Sequence, residues 1–121
     1  MSPLVLAGIA LVGGVGAIAR FALDGTVSSR LGRDFPYGTL AVNVLGAALL
    51  GLVLGASPGA RTEQIVGTGL IGAFTTFSTW SLETHRLAED GKTPLAWLNV
   101  VVSLVLGVAA AWAGRQLGLA L

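Results

Sequence analysis

Four long stretches of this chain contain no charged residue: Met1 to Ala19, Phe35 to Ala60, Gln64 to Leu82 and Thr93 to Gly114. About 20 apolar helical residues cross the hydrocarbon core of a bilayer, so each stretch is long enough to span it. The separators hold nearly all the charge and turn chemistry: Asp24-Gly25 through Arg33-Asp34, Ser57-Pro58-Gly59-Ala60-Arg61, and Glu89-Asp90-Gly91-Lys92. They are short, which predicts a compact array of four transmembrane helices in one domain over residues 1–121. Charged residues make up 11% of the chain, where a soluble domain carries about 25%, so there is too little polar surface to face water. The first stretch ends in Ala17-Ile18-Ala19, which looks like a signal-peptidase site. No basic residue precedes it and its apolar run is too long for a signal peptide, so it reads as a retained first helix.

Small residues recur at four-residue spacing. Ala47, Gly51 and Gly55 do so on the second stretch, Ser103, Gly107 and Ala111 on the fourth, and Gly8, Val12 and Gly16 nearly so on the first. Such ridges let helix backbones approach closely in lipid. They serve equally for packing within the chain or for burying a partner.

The third stretch differs from the others. Gly67, Gly69 and Gly72 thin its first half, and Thr75-Thr76-Phe77-Ser78-Thr79-Trp80-Ser81 puts five hydroxyls into seven residues. Hydroxyls that bond back to their own helix explain part of this pattern. A Gly-rich, hydroxyl-rich run at membrane depth also predicts a broken helix. Such backbone survives only where protein or a water-filled cavity satisfies it, and in transporters such breaks mark ion sites.

The candidate chemistry is sparse. Asn43 lies midway along the second stretch, with Thr39 one turn earlier on the same face. Its amide is either an interhelical hydrogen bond or a donor facing a pore. Arg20 ends the first stretch and reads first as a snorkelling side chain, with a fixed positive charge near an anion vestibule as the alternative. Phe77 and Trp80, three apart, place two rings with electropositive edges on one helical face, which is either packing or a weak anion-binding wall. Ser78, Thr79 and Ser103 would supply stronger donors. Glu83 and His85 follow the third stretch and are expected at the interface. The first, second and fourth stretches lack the His, Asp or Glu that a proton-coupled pump generally places in the membrane. With no P-loop, no Cys or His metal cluster and no dinucleotide fingerprint, the sequence points away from an enzyme. It also lacks the basic cluster that would suggest nucleic acid.

The motifs resemble those of the Fluc/CrcB family of fluoride channels. Gly13-Gly14-Val15-Gly16-Ala17-Ile18-Ala19-Arg20 is similar to its first-helix motif. Phe35-Pro36-Tyr37-Gly38-Thr39-Leu40-Ala41-Val42-Asn43 is similar to its second-helix motif. Gly69 through Glu83, with Thr75-Thr76-Phe77-Ser78-Thr79-Trp80 at its centre, is similar to its third. The resemblance spans the chain in order. It implies an all-α, antiparallel, dual-topology dimer in the cell membrane, with two narrow fluoride pores. It also implies a structural, untransported Na+ at the dimer centre, held by the carbonyls of Gly72 and Thr75. Asn43 and Ser103 would be pore donors, and Phe77 with Trp80 the aromatic lining. Ser78, Thr79 and Arg20 would flank the fluoride pathway. Trp80 departs from the motif, where phenylalanine is usual; it adds bulk and an indole N–H. The function implied is passive fluoride efflux that lowers fluoride toxicity. The rival readings are a four-helix proton-coupled exporter of the small multidrug-resistance type and a membrane assembly factor without transport.

The Lys/Arg pattern bears on orientation. Arg61 and Arg115 lie on the side of the termini and second loop, against Arg20, Arg30, Arg33, Arg86 and Lys92 on the side of the first and third loops. This modest bias favours both termini outside. A homodimer is expected, with a heterodimer of oppositely oriented paralogues as the alternative.

Overall fold

The computed structural model describes residues 2–121, and those residues form four membrane-length helical spans. The first, α1 (Pro3–Leu31), starts from Ser2, whose side chain accepts from the Val5 N–H, and has proline in its first turn. It runs well past Arg20, where the uncharged stretch ends. At 1.5 Å per residue it is about 44 Å long, longer than the roughly 30 Å hydrocarbon core. Asp24-Gly25 therefore belongs to the helix, not to a loop as the sequence suggested. Ser28 there donates to Asp24 Oδ1 at 3.2 Å, and Thr26 bonds back to the Ala22 carbonyl at 2.8 Å. The turn comes at Gly32, with φ +86°, a region that favours glycine.

The second span, α2 (Tyr37–Ala56), ends at Ser57 in the left-handed region and is followed by Gly59 at φ +114°. This is the turn that Ser57-Pro58-Gly59 predicts. The third span is composite over residues 60–89. Its first half, α3, opens with an α-turn (Ala60–Thr62), continues as nine residues of wide π-helix (Glu63–Ile71) and closes with another α-turn (Gly72–Phe74). After two extended residues, α4 (Phe77–Glu89) resumes. The fourth span, α5 (Thr93–Leu119), continues past the expected end at Gly114 through Arg115.

Packing within the chain follows most of the small residues. Helices α2 and α5 form the most intimate pair. A Cβ on Gly51 would lie 2.1 Å from the Ala111 carbonyl oxygen, and one on Gly114 would lie 2.0 Å from that of Ala48. Gly55 and Gly118 extend the same seam. Among the described residues, nothing beyond the helix's own neighbouring backbone lies within 4 Å of the Gly107 Cβ position, so that member of the ridge packs on no other helix of the chain. The contact face of α5 is thus Ala111, Gly114 and Gly118, displaced toward the C-terminus because the helices converge there. On α1, Gly16 is buried and a Cβ would come within 2.3 Å of the Leu70 carbonyl oxygen. That close approach seats the π-helical half of the third span against α1.

The exterior is apolar. Leu11, Ile18, Phe21, Trp97, Val108 and Trp112 are each at least 65% exposed. In water this surface would be a large liability; in lipid it is the solvated face.

Candidate ion pathway

The break in the third span begins three residues beyond its last glycine. Gly72 is helical, at φ −60° and ψ −38°, so glycine is not what interrupts the helix. The interruption is Thr75 (φ −81°, ψ 159°) and Thr76 (φ −147°, ψ 121°), both β-branched and suited to extended backbone. The Thr76 N–H donates to Asn43 Oδ1 at 2.8 Å, and Asn43 Nδ2 donates to the Thr76 carbonyl at 2.9 Å. One side-chain amide thus satisfies both backbone groups of the residue that lost its helical partners, as backbone at membrane depth requires. Close approach of α2 to the break depends on Gly46, where a Cβ would meet Thr75 Cγ2 at 2.1 Å.

Helix α4 then starts with a side-chain cap, Thr76 Oγ1 accepting the Thr79 N–H at 3.2 Å. The carbonyls of Gly72 and Thr75 are among those that lose their normal i+4 donors across the break. The donor for Gly72 is the Thr76 N–H, which goes to Asn43; the donor for Thr75 is the Thr79 N–H, which goes to the cap. Both residues line the same groove. Hard cations take oxygen ligands, so the donor chemistry of Gly72 and Thr75 suits such an ion, though one chain supplies only part of a coordination shell.

That groove, of about 450 Å³, also takes in Asn43, Ala47, Phe77, Trp80, Ser103 and Leu104. It therefore gathers the four residues singled out as pore-facing from sequence: Asn43, Phe77, Trp80 and Ser103. Phe77 is 75% exposed. Its ring centroid lies 5.4 Å from that of Trp80, at a tilt of 46°. Asn43 spends one of its two amide hydrogens on Thr76 and keeps the other. Asn43 thus bonds across helices and also lines the groove.

Arg20, Thr79 and Ser78 do not line this groove. Arg20 and Thr79 border a separate cavity of about 190 Å³, with Phe21, Asp24, Thr39, Val42 and Thr76. Ser78 is exposed, 3.4 Å from Thr76 Oγ1. Arg20 is partly buried in mid-helix and borders this cavity. Thr76 is common to both spaces. Thr39, 2% exposed, donates to Glu83. Glu83 is accordingly drawn against α2. His85 is exposed and pairs with Glu89 one turn on.

The sequence reading missed Asn99 and Thr84. Asn99 is 1% exposed. It donates to Thr84 Oγ1 at 2.8 Å and accepts from Ser103 at 3.3 Å. Its signal was the same as that of Asn43, an amide within an uncharged span, one turn from Ser103.

The family model described as CrcB-like protein, Camphor Resistance (CrcB), matches residues 7–115. This chain belongs to the CrcB family. Relatives in the family carry the name fluoride-specific ion channel FluC. One from Mycobacterium bovis is 53% identical over 108 residues, covering 89% of this chain and 86% of the relative. One from Mycolicibacterium paratuberculosis is 52% identical, covering 93% of each. A third, from Rubrobacter xylanophilus, is 46% identical, covering 98% of this chain and 96% of the relative. CrcB membership and the four spans make this a multi-pass membrane protein, and its relatives are named as channels, not enzymes.

Proposed function

We propose that this chain forms a fluoride-selective channel that lets the anion leave the cell passively. The observation that carries the reading is one groove holding Asn43, Phe77, Trp80 and Ser103 beside a helix break, in a chain whose relatives are named fluoride-specific channels. Fluoride holds its water tightly. The Born cost of burying even a carboxylate-sized ion is of order 20 kcal/mol, and a smaller ion costs more. A conducting pore must replace that hydration and still release the ion. The spare Asn43 amide hydrogen, the Ser103 hydroxyl and the edges of Phe77 and Trp80 offer modest donors of this kind. Arg20 beside the second cavity would raise the local anion concentration through its fixed charge, with Thr79 and Ser78 as flanking hydroxyls.

The active unit in this reading is an antiparallel dimer. The exposed Phe77 and the groove-lining Gly72 and Thr75 carbonyls would then meet their counterparts. Two carbonyls from each chain would give four oxygens to a structural Na+, which neutralises and fixes the facing breaks and is not transported. The fluoride-to-chloride flux ratio in liposomes containing the purified chain alone tests the reading. The expected result is rapid fluoride release with chloride retained. Retention of both anions, or release of both alike, removes it.

A further inference from the structure

Trp80, Ser103, Asn99 and Thr84 close a ring of hydrogen bonds between α4 and α5. The Trp80 indole N–H donates to Ser103 Oγ at 3.0 Å, and Ser103 donates to Asn99 Oδ1 at 3.3 Å. Asn99 Nδ2 donates to Thr84 Oγ1 at 2.8 Å, and Thr84 donates to the Trp80 carbonyl at 2.8 Å. A serine hydroxyl has one hydrogen, and Ser103 spends it on Asn99. In this state Ser103 has no hydrogen to offer an anion in the groove. The indole already occupies one lone pair of Oγ, so the hydroxyl hydrogen has two useful directions: back to Asn99, or out into the groove. The bond to Asn99 is the longest of the four and the easiest to give up.

We infer that Asn99 is a positioning residue that holds the Ser103 hydroxyl hydrogen away from the groove until an anion arrives. The inference rests on the fluoride-channel reading above. With fluoride in the groove, the Ser103 hydroxyl turns to donate to it, while the Trp80 N–H stays on Oγ and polarises the hydroxyl. Asn99 Oδ1, in a side chain only 1% exposed, then loses its partner, and that loss is subtracted from the binding of the anion. Asn99 thereby keeps the site weak enough for release, as conduction requires. Trp80, the departure from the usual motif, fits this role because its N–H holds Ser103 in place through the swing.

The test is the fluoride dependence of efflux for the unaltered chain, Asn99→Leu, Ser103→Ala and the double variant. Relieving one unmade buried hydrogen bond should lower half-saturating fluoride about tenfold in Asn99→Leu. The same substitution should change nothing when Ser103 is already alanine. An equal shift in both backgrounds, or no shift with Ser103 present, overturns the role of Asn99. Transport that ignores Asn99 removes this role alone, whereas no fluoride transport by the unaltered chain removes the channel reading and this role together. A second readout needs no variant at Asn99 or Ser103. In NMR spectra of the unaltered protein, fluoride should move the Asn99 side-chain amide signal. The Trp80 indole N–H, assigned by its loss in Trp80→Phe, should stay at a hydrogen-bonded shift. An Asn99 amide that does not move at saturating fluoride contradicts the inference, whether or not the variants fold.

Discussion

The peptide groups of Thr76 depend on a single side chain, Asn43, for both hydrogen bonds across the break. Replacing Asn43 by leucine would leave an N–H and a C=O unmade at membrane depth, each costing about 1–3 kcal/mol. Asn43→Leu should therefore lower the thermal unfolding temperature in detergent and cut fluoride efflux by orders of magnitude. Asn43→Asp keeps an acceptor for the Thr76 N–H and should unfold at a temperature closer to that of the parent. Phe77 separates transport from stability, because it is 75% exposed and packs chiefly against Trp80. Phe77→Ile should match the parent in thermal stability and lose most of its efflux. Normal efflux from Phe77→Ile would remove the aromatic wall from the proposed route. The sequence alone made Asn43 and Phe77 conspicuous, since an amide within an apolar span and two rings three residues apart both stand out. It did not show that Asn43 holds Thr76, because that pairing joins residues 33 positions apart.

At the scale of elements, hydrophobic length was legible and helix ends were not. The uncharged stretches locate all four spans, but α1 and α4 continue through charged residues such as Asp24 and Glu83. Charge marks the edge of the bilayer, not the end of a helix. The break was legible as a region, since glycine and threonine crowd one span. Its position was not, because extended backbone at Thr75 and Thr76 is fixed from outside by α2. Thr75 carries a test of the proposed sodium centre. Among the described residues its hydroxyl bonds only to the Ile71 carbonyl, at 3.1 Å, so Thr75→Val should retain efflux and sodium dependence. Complete removal of sodium should abolish efflux from both parent and variant. Efflux indifferent to sodium would argue against the cation. The α2–α5 seam gives a separate prediction. Gly114→Val forces atoms toward the Ala48 carbonyl and should destabilise by about 1–3 kcal/mol, the usual range for overpacking. Gly107→Ala meets no other helix within 4 Å among the described residues and should not lower the unfolding temperature of the isolated subunit. Thermal unfolding in detergent compares the two.

For the whole molecule, an antiparallel homodimer requires one chain to insert both ways. The Lys/Arg bias of Arg61 and Arg115 against Arg20, Arg30, Arg33, Arg86 and Lys92 is small, and Arg20 is partly buried beside a cavity in mid-helix. Discounting Arg20 narrows the bias further, which supports dual insertion in the proposed dimer. A C-terminal reporter that reads each side of the membrane should give signal from both sides. Signal from one side only, with efflux restored by an oppositely oriented paralogue, would replace the homodimer with a heterodimer. The central claim is that fluoride itself passes, passively, and chloride does not. Its most direct test is the reversal potential of the purified chain in a planar bilayer, with fluoride on one side and chloride on the other. The account predicts a current carried by fluoride alone, with a reversal potential displaced far in the direction of fluoride selectivity and unmoved by a pH gradient. A reversal potential near zero, or one that follows the proton gradient, would contradict it.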